Sequence, residues 1–184
     1  MSTLTGEAGG RTRLVPIPFH TPKFISCCKL LGPIESYLIH WLNDAINGGG
    51  RSTPCTHEGC MYCTGGNWPR LNWYAAAFLH DQQTDRWMLV ILSINKSYME
   101  SLQTVENPYE VPLVFRATKD YAKGRQFKVT PTNRVLPPPF NPEPIDVAEQ
   151  LELAWRVPRR LWATSHSEAD PTPNILRFNQ THTA

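Results

Sequence analysis

The chain has 184 residues, of which 41% are hydrophobic, enough apolar material for one folded domain with decorated ends and too much for wholesale disorder. Its formal net charge is +2 with 18% charged residues, so a polyanionic partner cannot be argued from overall charge and needs local clustering. The 17 prolines against 11 glycines point to many breaks and few long helices.

Met1 to Arg13 is polar and lacks the apolar stretch of a signal peptide. The longest apolar runs, such as Trp87 to Leu92, fall far short of the roughly 20 residues that cross a bilayer. A cytoplasmic location is the expectation. Five cysteines is an odd number, and three of them fall within the segment 55–63, a pattern that favours metal over disulfides in a reducing compartment.

In chain order, residues 1–13 form a flexible leader and 14–136 the main domain. Phe24 to Leu31 is an apolar run carrying Cys27 and Cys28, and Gly32-Pro33 marks a turn before a strand over Ile34 to Leu42. Gly48-Gly49-Gly50 opens a loop, about residues 48–68, that holds the cysteine cluster. Leu71–His80 and Arg86–Ser93 read as a hairpin around a polar turn. Asn95 to Thr104 predicts a short helix, with Tyr98, Met99 and Leu102 on one face. Pro112–Thr118 and Arg125–Pro131 predict a second hairpin. Residues 137–184 comprise a stiff linker (Pro137, Pro138, Pro139), a helix over Asp146–Arg156 and an extended tail. Asp146 caps that helix, and Val147, Leu151, Ala154 and Trp155 share its apolar face. The fold class is mostly β with minor α, a small antiparallel barrel or sandwich.

The segment Cys55-Thr56-His57-Glu58-Gly59-Cys60-Met61-Tyr62-Cys63 carries the most specific chemistry. Zinc takes four tetrahedral ligands and favours thiolate. Cys60 and Cys63 can bend onto one ion, and Cys55 adds a third sulfur from the same loop. For the fourth ligand His40 is preferred, since the loop between it and Cys55 is long enough to fold back. His57 is the alternative, with a short bite from Cys55, and Cys27 or Cys28 a third option, although buried thiols are common without metal. A structural rather than catalytic site is expected. Glu58 could be nominated as a general base, but neither a deaminase pattern nor His-Glu-x-x-His is present. No enzyme activity is expected.

Between Pro112 and Arg134 the bases Arg116, Lys119, Lys123, Arg125, Lys128 and Arg134 face the single acid Asp120, with Phe115, Tyr121 and Phe127 interleaved. Arg70, Trp73, Tyr74 and Phe78 add a second aromatic and basic stretch beside the metal loop. Cations that track phosphates and rings that stack bases are the means by which single strands are held. Solvated strand charges and core rings explain the same residues without a ligand, so both readings stay open here.

These features together resemble the zinc-containing single-stranded-DNA-binding proteins of phages and mobile elements. The resemblance covers roughly residues 34–131. It rests on His40-Trp41, on Arg51-Ser52-Thr53-Pro54-Cys55 leading to Cys60 and Cys63, on Phe115-Arg116, and on the run Lys123 to Pro131. It implies an oligonucleotide-binding (OB-like) barrel with an inserted zinc loop and zinc held by three cysteines and His40. It also implies a binding groove on Arg116, Lys123, Arg125, Phe127 and Lys128. The expected function is non-specific binding of single-stranded DNA, or RNA, in replication or recombination and alongside proteins of those processes. The acidic C-terminal tip of such proteins has no counterpart here. The alternative from another class is a zinc-stabilised protein-interaction module with an exposed patch of Trp41, Trp68, Trp155 and Trp162.

Overall fold

The structure is a computed structural model that describes residues 17–22, 24–44, 49–81, 85–120, 124–134 and 145–163. Among them, eight strands follow in chain order: β1 (Phe19–His20), β2 (Phe24–Leu30), β3 (Glu35–Asp44), β4 (Gly49–Pro54), β5 (Arg70–Asp81), β6 (Arg86–Ile94), β7 (Leu113–Asp120) and β8 (Gly124–Pro131). Three helices, α1 (Met61–Thr64), α2 (Lys96–Leu102) and α3 (Val147–Trp155), and a 3-10 turn at Arg159–Leu161 complete the inventory.

β5 organises the sheet. One edge pairs with β6 from Trp73↔Ile94 to Asp81↔Arg86, the first predicted hairpin. The other edge is shared: β3 pairs with its first half, from Glu35↔Tyr74 to Ile39↔Arg70, and β2 with its second, from Cys28↔Leu79 to Leu30↔Ala77. β2 continues to β7 and β8, the second predicted hairpin, with a register shift between Ile25 and Cys28 that bends the strand. The result is mostly β, a curled sheet forming a half-barrel with a small C-terminal helix, consistent with an OB-like fold.

Strand alternation puts apolar residues on both faces of this sheet, so it carries two cores. Ala75, Ala77 and Leu79 of β5, with Val90, Leu92 and Ile94 of β6, face a cluster closed by Phe115, Val129 and α2. The alternate residues Tyr74, Ala76 and Ile91 face a second cluster with Ile39, covered by Val147, Ala148 and Leu151 of α3 and by Trp162. The C-terminal helix is therefore packed against the main domain.

Both longer helices carry side-chain caps. The Asn95 side chain accepts from the Tyr98 N–H at 2.9 Å, and Asp146 Oδ1 accepts from the Glu149 N–H at 3.0 Å. Tyr98, Met99 and Leu102 are buried, as their spacing predicts. In α3 the buried set is Val147, Ala148 and Leu151, while Ala154 is exposed. At about 100° per residue the buried arc centres between Ala148 and Leu151, which leaves Ala154 on its margin.

Two further departures concern the sheet. β1 joins β6 in parallel, with Ile91 N–H donating to Pro18 O at 2.9 Å, so the pairing is not purely antiparallel; a short extended segment caps an otherwise open edge. The glycine-led stretch expected as loop is strand β4, paired with β3 from Ile39↔Pro54 to Asp44↔Gly49. Its proline stands at the strand end, where the missing N–H costs no ladder bond. The leader 1–13, the prolines 137–139 and the tail beyond 163 lie outside the described residues.

Candidate metal centre and strand face

β3 delivers His40 into the interior, where its ring is fully buried, while β4 ends at Pro54 and hands the chain to Cys55. Cys55 N–H donates to Leu38 O at 2.8 Å, which keeps the first sulfur beside β3. The chain then turns through His57 and Gly59, both in the left-handed region (φ 57° and 68°), and returns as α1. Thr64 N–H donates to Cys60 O and Gly65 N–H to Met61 O, each at 3.1 Å, so Cys60 and Cys63 sit one helical turn apart. Gly66 (φ 80°) reverses the chain toward β5, its N–H bonded to Cys63 O at 3.0 Å.

This loop brings one imidazole nitrogen and three sulfurs within 4.8 Å of one another: His40, Cys55, Cys60 and Cys63. Cys55 Sγ lies 3.7 Å from Cys63 Sγ, and His40 Nε2 lies 3.2 Å from Cys60 Sγ and 3.8 Å from Cys63 Sγ. A tetrahedron with Zn–S of about 2.3 Å has sulfurs about 3.8 Å apart, so the donor spacing fits a single ion of that kind. Cys55 and Cys60 are buried with Ala163, and Leu38 and Tyr62 close the apolar surround.

The electrostatics of the donor set point the same way. Burial alone would raise the Cys60 thiol, but hydrogen bonds from the backbone at Cys63, Thr56 and Tyr62 and from the Cys63 thiol outweigh it and hold Cys60 at about 6. Cys63 is pushed up to about 12 by burial, by its hydrogen bonds with Cys55 and Cys60, and by repulsion from both. The Cys60 thiolate is favoured and that of Cys63 is penalised. A shared dication removes that penalty.

His57 is exposed and outside the four-group cluster, as is Glu58. Cys27 and Cys28 are fully buried on β2, with Cys28 in the first core cluster and its thiol raised by burial. They belong to the packing. Asn67, which the spacing of cysteines gives no reason to single out, accepts from His40 Nδ1 through its carbonyl at 2.7 Å.

The residues proposed for nucleic acid separate. Arg70, Arg116, Arg125 and Lys128 are exposed. Tyr74 is only 1% exposed and packs among Tyr37, Trp155 and Phe19, so its ring is withheld from any surface. Trp73 and Phe127 are half-buried against the first core, with Phe127 edge-on to Tyr98 at 4.8 Å. Lys119 pairs in the ladder opposite Arg125, while Tyr121 and Lys123 lie outside the described residues. Two rings on this side were missed: Phe24, 51% exposed beneath the Arg116 guanidinium at 5.6 Å, and Trp87, stacked on Phe78 at 5.1 Å.

Of the four tryptophans suggested as one patch, Trp68 and Trp41 are exposed beside the metal loop, whereas Trp155 and Trp162 stack edge-on at 5.0 Å in the second core. No helix among the described residues is long and apolar enough to cross a membrane. Fold and site together define a mostly β protein with a candidate Cys3His metal centre. No known family, curated protein or solved structure matches the chain.

Proposed function

We propose that the protein binds single-stranded nucleic acid on its curled sheet and that a structural zinc ion, held by His40, Cys55, Cys60 and Cys63, fixes the loop 55–66 against that sheet. The observation that carries the binding reading is one cross-strand row. Phe24, Arg116 and Lys128 are ladder partners on β2, β7 and β8, all exposed, with the cation of Arg116 over the Phe24 ring. Two like charges opposite each other destabilise a sheet on their own, and a phosphate between them relieves the repulsion. Zinc, when bound, supplies the charge that lets three sulfurs share one buried site. Its contribution is to folding, since all four positions are filled by protein and none is open for substrate.

The test is fluorescence anisotropy of labelled oligo-dT with the full chain. Binding is expected, weakening about 20-fold between about 50 and about 200 mM salt if about three phosphates are neutralised. Arg116→Glu with Lys128→Glu is expected to abolish it while sparing the fold. Wild-type protein that ignores the oligonucleotide at the lower salt refutes the reading.

A second reading is a protein-interaction module. It is favoured by Trp68 and Met61, each 73% exposed around the metal loop. Under it, Trp68→Ala disrupts a protein complex and oligonucleotide affinity is nil throughout.

A further inference from the structure

Among the described residues, the second face of the sheet is only partly covered. α3, Trp155 and Trp162 roof the half around Tyr74, Ala76 and Ile91, and the same face continues past them along β5 and β2. Register shows what stands there. Phe78 is the ladder partner of both Lys29 and Leu89, and His80 of Trp87, so Lys29, Phe78, His80 and Trp87 share the face of Tyr74 and Ala76. On the far side of β2, Phe24 pairs with Arg116 and Arg116 with Lys128, the outward set of β7 and β8, since their alternates Phe115 and Val129 are core. Arg134 joins the two groups: its guanidinium donates to Ser26 Oγ at 2.9 Å and lies 3.5 Å from His80 Nδ1.

We infer that this open half of the sheet is a track for a single strand, which enters at Lys128, Arg116 and Phe24 and crosses β2 to stack bases on the Trp87–Phe78 pair. The inference rests on the nucleic-acid reading above and specifies its path, which crosses the strands instead of following the β7–β8 hairpin. Three features choose this occupant. The rings are spaced across the face, with Phe24 at one end and Trp87 stacked on Phe78 (interplanar angle 21°) at the other, the latter two half-buried and so still partly open. Cations from four separate segments, Lys29, Arg116, Lys128 and Arg134, converge on it. Among the described residues, the Asp85 carboxylate is engaged with His80 Nε2 at 2.9 Å, and Glu110 acts electrostatically on Lys29. Polyanion charge matches the cations and flat bases match the rings; an apolar or acidic peptide would satisfy only one of the two. Five neighbouring strands span about 19 Å, room for on the order of 3–6 nucleotides.

The experiment uses the full chain and a labelled oligo-dT of about 12 nucleotides, within the span of single-strand sites on comparable sheets. Trp87→Ala is expected to weaken binding about 5- to 100-fold, Trp87→Phe to retain most of it, and Arg134→Ala to weaken it by several-fold. Because Trp87→Ala could loosen the hairpin, ultraviolet crosslinking of wild-type protein to 5-iodouracil DNA gives an independent reading, with adducts expected on the peptides carrying Phe24 and Trp87. If Arg116→Glu/Lys128→Glu abolishes binding while Trp87→Ala and Arg134→Ala match wild type, the strand stays on the hairpin and the track is wrong, though the function stands. Adducts confined to residues 61–68, or equal affinity for duplex DNA, whose paired bases cannot stack on the rings, also overturn it. Absence of any binding by wild type removes the track and the function together.

Discussion

The ring Nδ1–H of His40 donates to the backbone carbonyl of Asn67 at 2.7 Å, and because a carbonyl can only accept, that bond sets the tautomer. It leaves the Nε2 lone pair directed at the sulfurs of Cys60 and Cys63, 3.2 and 3.8 Å away. Asn67 is itself held twice, by its N–H on Tyr62 O at 2.9 Å and its side-chain amide on Trp41 O at 3.0 Å. A residue between the metal loop and β5 thus ties the helical turn of the loop to β3 and aims the imidazole.

Removal of that tie is expected to be felt at the metal. Asn67→Ala keeps the backbone carbonyl but drops the bond to Trp41 O, so metal affinity should fall about tenfold, the low end for an outer partner of a ligating histidine. His40→Ala should lower it much further, His40→Cys should retain a metal with a fourth sulfur, and His57→Ala should change nothing. Competition with a chromophoric chelator ranks all four. A loss for His57→Ala with none for His40→Ala would reverse the ligand choice.

Chelation should loosen more than the loop. Ala163 N–H donates to Cys55 O at 2.7 Å and packs against Cys55 and Cys60, so the segment after α3 is docked on the cysteine cluster. Stripping the metal, or Cys60→Ser, is expected to cost at least about 3 kcal/mol and to lower Tm by about 6–12 °C. Limited proteolysis of the stripped protein should open cleavage near residue 163, with β5 and β6 still protected. An unchanged melting curve after chelation would show that the loop does not depend on metal.

The second core offers a test independent of any ligand. Leu151→Ala is expected to cost about 2–5 kcal/mol in urea denaturation because Leu151 is fully buried between α3 and the sheet. Asp146→Ala should cost about 1 kcal/mol through the lost cap on Glu149 N–H. If Leu151→Ala were neutral, α3 would not be part of the folding unit.

Alkaline pH should destabilise the fold through buried phenols. In an unfolded chain tyrosine ionises near about pH 10, whereas burial raises Tyr74 and Tyr98 above that value. Stability from each is complete below about pH 10 and is lost as pH rises from there toward the folded value, by at most about 1.4 kcal/mol per pH unit. Urea midpoints across that range should fall, and Tyr98→Phe should make the fall shallower. Titration of every tyrosine in folded protein near the unperturbed value, read by tyrosinate absorbance, would contradict the burial.

The hairpins, both longer helices and the three clustered cysteines were readable because each depends on local pattern: alternation, capping residues and cysteine spacing. His40, preferred among several candidates for the fourth position, joins them only through the pairing of β3 with β4. Other features depend on which elements meet. The pairing of β4 with β3 was hidden by its glycines, and the parallel partner of β1 lies some 70 residues away, by Phe19↔Ile91. Tyr74 read as a surface ring because alternation defines two faces without saying that α3 covers one of them. The Phe24–Arg116 contact joins β2 to the β7–β8 hairpin across some 90 residues, so no short window along the chain contains it.

The most direct test of the metal centre is the zinc content of the full chain purified without chelator or added metal, followed by cobalt substitution. One zinc per chain, and a cobalt form with the intense visible absorption of a tetrahedral site bearing three sulfurs and one nitrogen, are the predicted results. Metal-free protein whose Cys55, Cys60 and Cys63 react at once with a thiol reagent, and which takes up no cobalt, would contradict it.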